Sequence, residues 1–182
     1  MRLETERLLL RPWRKTDLDA YSALMGDPTV RRFYPSTLTR EDAARSLDRT
    51  ISAHRENGFH FLAAELRETG EIAGLIGLGR IPDATKKAIP SHPEIEIGWL
   101  LHHRLWGQGL APEGAKACLA YGWDTLEAPE IVAFTAKVNH PSQRVMEKIG
   151  MARAPEDDFI HPSVPDGHVL QPHTLYRIVR PC

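Results

Sequence analysis

Cysteine is nearly absent from the 182 residues: Cys118 and Cys182 stand alone, with no spacing that frames a disulfide network or a metal site. Cys118 falls in a helical pattern and reads as core filler, Cys182 as a frayed, free thiol. No apolar run approaches membrane-spanning length. The opening Met1 to Arg7 carries Glu4 and Glu6 and lacks the apolar core of a signal peptide, so a cytoplasmic location with no membrane partner is expected. Neither sign of charge is in excess: 23 Lys and Arg against 24 Asp and Glu leave −1, which gives no reason to expect a nucleic-acid partner. Nine histidines show no ligand spacing, and no metal is expected. A composition that is 42% hydrophobic and 26% charged suits one soluble domain, residues 1–182, and no repeat or linker divides it.

The stretch from Glu94 to Lys116 organises the rest. Glu94-Ile95-Glu96-Ile97-Gly98-Trp99-Leu100-Leu101 alternates and then turns apolar, as a strand does, and Leu110 onward reads as a helix. Between them lies Trp106-Gly107-Gln108-Gly109, with Pro112 suited by its fixed φ to a first helical turn. Such a turn leaves backbone N–H groups free at the positive end of a helix dipole, a seat for a phosphate or diphosphate. No Lys followed by Ser or Thr closes it, which argues against a Walker-type grip and phosphoryl transfer. Pro112 stands where a dinucleotide fingerprint needs its third small residue, and that reading is weak as well. The structural alternative is a glycine turn that only lets strand and helix pack closely.

Taken in order, Thr5 to Trp13 reads as a strand, with a helix after Lys15-Thr16-Asp17 that stops at Gly26-Asp27-Pro28. Arg31-Arg32-Phe33-Tyr34 reads as a charged loop and is given no role. A second helix runs from the Thr39 cap to Gly58. Phe59 to Leu66 and Ile72 to Ile81 form an antiparallel pair, in which Gly74, Gly77 and Gly79 read as structural. Pro82 to Pro93 has no periodicity and reads as a loop at the substrate rim. A strand from Ile131 to Val138 leads into a short helix begun by Asn139-His140-Pro141-Ser142 and closed by Gly150. The tail from Arg153 to Pro172 is rich in Pro, His and Asp, and Thr174 to Val179 alternates as a last strand.

This order of elements, with Leu3-Glu4-Thr5-Glu6-Arg7-Leu8-Leu9-Leu10-Arg11, Glu96-Ile97-Gly98-Trp99, Trp106-Gly107-Gln108-Gly109-Leu110-Ala111 and Lys148-Ile149-Gly150-Met151, resembles the GNAT superfamily of acetyl-CoA-dependent N-acetyltransferases. Within it the resemblance is to the RimJ/RimL-like branch. It implies an α+β GNAT fold: a mixed, mostly antiparallel sheet with helices on both faces and a splay between the fourth and fifth strands. It also implies acetyl-CoA as cosubstrate, an amine as acceptor, and a homodimer as a permitted assembly. The diphosphate is expected on the amides of Gly107, Gln108, Gly109, Leu110 and Ala111, with Trp99, Leu100, Leu101, Asn139 and Ser142 also near the cofactor. Trp106, Gly109 and Ala111 take the places of the family signature, although Arg104 to Gly109 satisfies it formally too.

Acetyl transfer to an amine needs a base for the amine, donors for the developing oxyanion and a proton for the leaving thiolate. Glu96 is the candidate base, directly or through a water, and pairing with a basic side chain across the sheet is its structural alternative. Backbone N–H near Gly98 to Leu100 is the implied oxyanion donor. Many members place a tyrosine acid on the helix after the asparagine, where this chain has Met146. Ser142 is the local substitute, and a helix cap is its plainer role. His60, His102, His103 and His140 are further candidates for proton transfer. A non-catalytic acyl-CoA-binding module or sensor is the alternative function.

Overall fold

The computed structural model describes residues 1–181, so Cys182 lies outside the described residues. Among these the strands are β1 (Leu3–Glu4), β2 (Leu8–Arg11), β3 (Phe61–Leu66), β4 (Ile72–Arg80), β5 (Ile95–Leu101), β6 (Glu130–Ala136), β7 (Ala152–Arg153), β8 (Phe159–Ile160) and β9 (Pro172–Val179). The α-helices are α1 (Leu18–Gly26), α2 (Arg40–Asn57), α3 (Asp83–Ala88), α4 (Leu110–Asp124) and α5 (His140–Lys148). They build the GNAT fold: one sheet in the order β1-β2-β3-β4-β5-β6-β9-β7, with β8 on β9, antiparallel throughout except for β5 beside β6.

That exception makes the splay. Parallel pairing of β5 with β6 is confined to Glu96 opposite Val132, after which the strands part. Leaving the two-residue β1 uncounted, these are the fourth and fifth strands. Helices cover both faces. On one, Trp13, Tyr21, Leu24, Ala43 and Leu47 pack over Ala63, with Leu75 and Leu100 at the margin. On the other, Leu110, Ala115, Cys118, Leu119, Met146 and Ile149 pack with Leu8, Leu10, Leu62, Ile76, Leu78 and Ile97. The second face closes tightly because α4 turns small residues to the sheet. A Cβ on Gly114 would lie 2.6 Å from Ile76 Cδ1, and one on Gly122 would lie 2.5 Å from Ile131 Cδ1.

Local chemistry sets the helix ends. Thr39 Oγ1 accepts from the Asp42 amide (3.1 Å) and Gly58 ends α2 at φ 78°, as the sequence predicts. Asn139 caps α5, its side-chain oxygen accepting from the Ser142 amide at 3.3 Å. Buried Arg11 carries its charge inward because two carboxylates meet it, Asp17 and Glu65, each at 2.7 Å.

Three expectations need correction. The strand read over Thr5–Trp13 is a hairpin, β1 folding onto β2 with Leu3 opposite Leu10. The Thr5 hydroxyl accepts from the Leu8 amide (2.9 Å) and so makes a turn inside the run. The stretch Pro82–Pro93 is not all loop. It contains α3, six residues that bury Thr85 and lead to the buried Ile89, too short to show a helical period. The tail begins at the end of β7 and contains β8, two-residue pairings on β9 that alternation cannot reveal. The glycines of β4 are structural, as read, and the neighbouring strands require them: a Cβ on Gly77 would sit 2.5 Å from Phe61 Cα, and one on Gly74 would sit 2.2 Å from the Leu100 carbonyl oxygen.

Candidate active site

Strand alternation sorts β5. Ile97, Trp99 and Leu101 face the core under α4, whereas Leu100, and with it Gly98 and Glu96, faces the α1/α2 side. Across the ladder Glu96 lies opposite Gly79 and Gly98 opposite Gly77. The Phe61 ring fills the space these glycines leave: a Cβ on Gly98 would be 3.0 Å from Phe61 Cε1, and one on Gly79 3.2 Å from Cε2. His60 adds its ring 5.1 Å from that of Phe61. Glu96 therefore stands where β5 and β6 part, beside an aromatic wall.

Among the described residues Glu96 has no ion pair, so the cross-sheet pairing proposed as its structural alternative is not made; its neighbour Glu94 pairs instead with Lys86. Burial pushes the Glu96 carboxyl up from 4.5 to about 8. Its side chain is nevertheless only half-buried by accessible surface, which describes a group surrounded by protein on the wall of an open cleft. A carboxylate so tuned can take a proton near neutral pH.

The glycine turn ends in α4. Gly107 and Gly109 take positive φ, 76° and 79°, which side chains other than glycine rarely adopt. Among the described residues the N–H groups of Gly107, Gln108, Gly109, Leu110 and Ala111 find no acceptor, whereas those of Leu105 and Trp106 bond to His102 and His103 carbonyls. Five consecutive free donors at a helix start form a cradle for an anion. Pro112 is the third residue of α4, consistent with the register placed on Trp106, Gly109 and Ala111. The turn is braced from outside. Arg7 Nη1 donates to the Gln108 carbonyl (2.8 Å), Arg7 Nε to Glu113 (2.7 Å), and Thr5 Oγ1 also to Glu113 (2.6 Å). Trp106 Nε1 donates to the Leu101 carbonyl at 2.9 Å, and Gln108 Nε2 to that of Arg104 at 3.2 Å. Arg7 and Glu113 escaped the sequence reading because they lie 106 residues apart in the chain.

Across the splay, Asn139 is buried and its Nδ2 donates to Thr135 Oγ1 (2.8 Å) and Ser142 Oγ (3.0 Å), leaving the serine proton free to be given elsewhere. Met146, in the place of the usual tyrosine, is 2% exposed and packs into the core. The other candidates scatter. Leu101 is buried with its carbonyl occupied, His103 pairs with Asp27 at 3.0 Å, and His140 is exposed at the start of α5. Burial pushes Cys118 up to about 12 and leaves it inert as a nucleophile. Among the described residues no cluster of three or more metal-binding side chains occurs, and no helix is long and apolar enough to cross a membrane.

A strand splayed from its parallel neighbour, a glycine turn of free amides and a helix behind it are the arrangement that the resemblance to acetyl-CoA-dependent transferases implies. Residues 7–152 match the family described as "Acetyltransferase (GNAT) domain", and the chain belongs to that family of acyltransferase enzymes, whose members use acetyl-CoA. "Uncharacterized N-acetyltransferase YnaD" of Bacillus subtilis (strain 168) is 27% identical over 179 residues, 98% of this chain and 97% of that one. The crystal structure of a GNAT-family acetyltransferase from Bacillus anthracis superposes with a TM-score of 0.79 at 28% identity, covering 98% of each chain. RimL, the ribosomal L7/L12 alpha-N-protein acetyltransferase, solved in complex with coenzyme A, superposes with a TM-score of 0.78 over 99% of this chain and 98% of its own. At 14% identity that likeness is one of fold alone.

Proposed function

We propose that this protein moves an acetyl group from acetyl-CoA to a primary amine by direct attack in a ternary complex, residues 1–182 acting as one domain. The observation that carries the reading is the row of five unpartnered amides from Gly107 to Ala111. They suit the diphosphate of the cosubstrate, whose arm would run along Trp99, Leu100, Asn139 and Ser142 at the gap between β5 and β6, with Leu101 buried behind it. Glu96 draws a proton from the amine, through a water. The amine nitrogen then forms its bond to the thioester carbon, an N–H on the free edge of β5 near Gly98 to Leu100 receives the oxyanion, and the C–S bond breaks. The departing thiolate takes a proton from Ser142 or from solvent; a thiol beside the start of α5 is acidic enough to leave without a dedicated acid. The motifs around Glu96 and Trp106 support a place in the RimJ/RimL-like branch, with a protein N-terminus or a small amine as acceptor. Near-neutral charge favours no nucleic-acid or membrane partner. A cytoplasmic homodimer is the matching assembly.

Thiol release with a panel of amines and peptides tests the reading, and turnover that falls in Glu96→Gln while CoA still binds is the expected result. A second reading, an acyl-CoA sensor, is favoured by Met146 lying buried where a tyrosine acid is usual. Tight acetyl-CoA binding without turnover on any amine would decide for it.

A further inference from the structure

The connection between α1 and α2 supplies a charge without a counterion. Arg31 is half-buried, its guanidinium 4.1 Å over the Tyr34 ring; Nε donates to the Ser36 carbonyl at 2.9 Å and Nη1 lies 3.6 Å from Met25 Sδ. Among the described residues Nη2 has no hydrogen-bond partner and no carboxylate pairs with this side chain. The half-buried or buried arginines at 11 and 177 each meet two carboxylates: Asp17 and Glu65 for Arg11, Glu130 and Asp157 for Arg177. Holding a guanidinium out of water without an anion is costly, and burial lowers the Arg31 pKa. That cost is offset when a ligand brings the anion.

The same loop reaches the candidate active site. Tyr34 keeps 43% of its surface exposed, yet its hydroxyl is raised, first by surrounding protein, and it feels the charge of Glu96; both fit a place on the cleft wall facing that carboxyl. Phe33, two residues past Arg31, packs against Ala136, Val164 and Leu170. Beside them is a packed cluster of four rings, Phe134, Phe159, His161 and His173, of which Phe159 is buried and the other three keep part of their surface exposed. Its centroids are 5.4 Å apart for the two phenylalanines, 4.6 Å for the two histidines and 5.5 Å for Phe159 and His173. Phe134 is two residues beyond Val132, the partner of Glu96, and so lies on the Glu96 face where the strands open. The histidines belong to an apolar wall. His161 Nδ1 accepts from the Ser163 amide at 3.2 Å, which makes that ring the neutral Nε2–H tautomer, while His173 Nδ1, 3.1 Å from the Gln171 carbonyl, must carry a proton and donate it there. Burial lowers both, His173 to about 4.

We propose that the acceptor is an amine carrying its own carboxylate, an amino acid with an apolar or aromatic side chain: Arg31 takes the carboxylate, the exposed faces of the packed Phe134, His161 and His173 rings take the side chain, and Glu96 faces the amine. This rests on the acetyltransferase reading and narrows its substrate. A peptide N-terminus or an amide has no carboxylate at that distance from its amine, so it leaves Arg31 unpaired.

The test uses the full-length protein with acetyl-CoA and pairs of acceptors that keep or lose the carboxylate, phenylalanine against phenylalaninamide and leucine against leucinamide, with rates referred to the free-amine form because amidation lowers the amine pKa, and with a peptide beginning in Ala as a third arm. Thiol release gives kcat/KM for each, and calorimetry on the CoA-saturated protein gives binding. Free amino acids are expected to exceed their amides by at least about 10-fold in kcat/KM, the scale of a charge-assisted hydrogen-bond pair. Arg31→Met should collapse that ratio by roughly 10- to 100-fold through KM, Arg31→Lys should restore part of it, and Phe134→Ala should erode the preference for phenylalanine over glycine. A purely structural arginine would lower both members of each pair alike, which overturns the proposal. Turnover of amides and peptides as good as that of free amino acids overturns it too and leaves the acetyltransferase reading standing. Arg31-dependent binding of a free amino acid without thiol release would do the reverse.

Discussion

Replacing Glu96 by Gln removes an ionisable group at nearly constant volume, so the variant separates the cost of a buried charge from the shape of the site. The folded protein holds the Glu96 proton up to about pH 8, whereas the unfolded chain releases it near 4.5. Between those values the unfolded state binds fewer protons, and the stability this group contributes is fully present below 4.5 and is lost as pH rises through 8. At about 1.4 kcal/mol per pH unit the ceiling is roughly 5 kcal/mol, and solvent reaching a half-buried side chain reduces it to about 2 kcal/mol. Gln escapes that loss. Thermal melts should therefore place Glu96→Gln about 6 °C further above the wild type at pH 9 than at pH 5, for a chain of this length. In parallel, wild-type kcat/KM should climb along a limb near pH 8. The variant should lose that limb and roughly 100-fold or more in rate while binding CoA as before. A melting difference that is the same at both pH values would refute the buried-carboxyl reasoning, and an unaltered rate would remove Glu96 from the chemistry.

Four further perturbations test the frame around it. Gly109→Val places a side chain at φ 79°, and should weaken CoA binding at least about 10-fold by calorimetry with a Tm loss of a few degrees. Glu113→Gln loosens the bracing of the turn by Arg7 and Thr5, and is expected to raise the KM for acetyl-CoA more than it lowers kcat. Arg11→Met leaves Asp17 and Glu65 without their cation and should cost about 3 kcal/mol in denaturant unfolding at pH 7. The difference should shrink in acid: burial opposes the charge on Asp17, but Arg11 and the Arg14 amide hold its pKa below the ordinary range, so that stability is lost as pH falls through the lowered value. Gly77→Ala drives a methyl into the Phe61 Cα and the His60 carbonyl, backbone that cannot swing away, and should yield a protein destabilised by about 2 kcal/mol or more, read as a lower urea midpoint.

What the sequence made legible was local. Positive φ at Gly107 and Gly109, the Thr39 and Asn139 caps and the alternation that aims Glu96 are each decided by residues within a few positions, and each is read without knowing the fold. The α3 helix fell below the length at which a period shows, and the turn inside Thr5–Leu8 came from one hydroxyl rather than from a glycine or proline. Arg31-Arg32-Phe33-Tyr34 looked like an ordinary charged loop because its meaning comes from distant partners: Arg32 lies 4.5 Å over the Trp106 ring, and Tyr34 feels Glu96. The four-ring cluster likewise joins β6 to the tail and β9. In a sequence its members are two scattered phenylalanines and two histidines, and the antiparallel registers of β6 and of β8 on β9 bring them together.

The central claim concerns main-chain donors, and backbone amide NMR reads them directly. On titration with coenzyme A the resonances of Gly107, Gln108, Gly109, Leu110 and Ala111 should move downfield together and saturate at the calorimetric affinity. Saturable binding that leaves those five unmoved while shifting amides elsewhere would contradict the account.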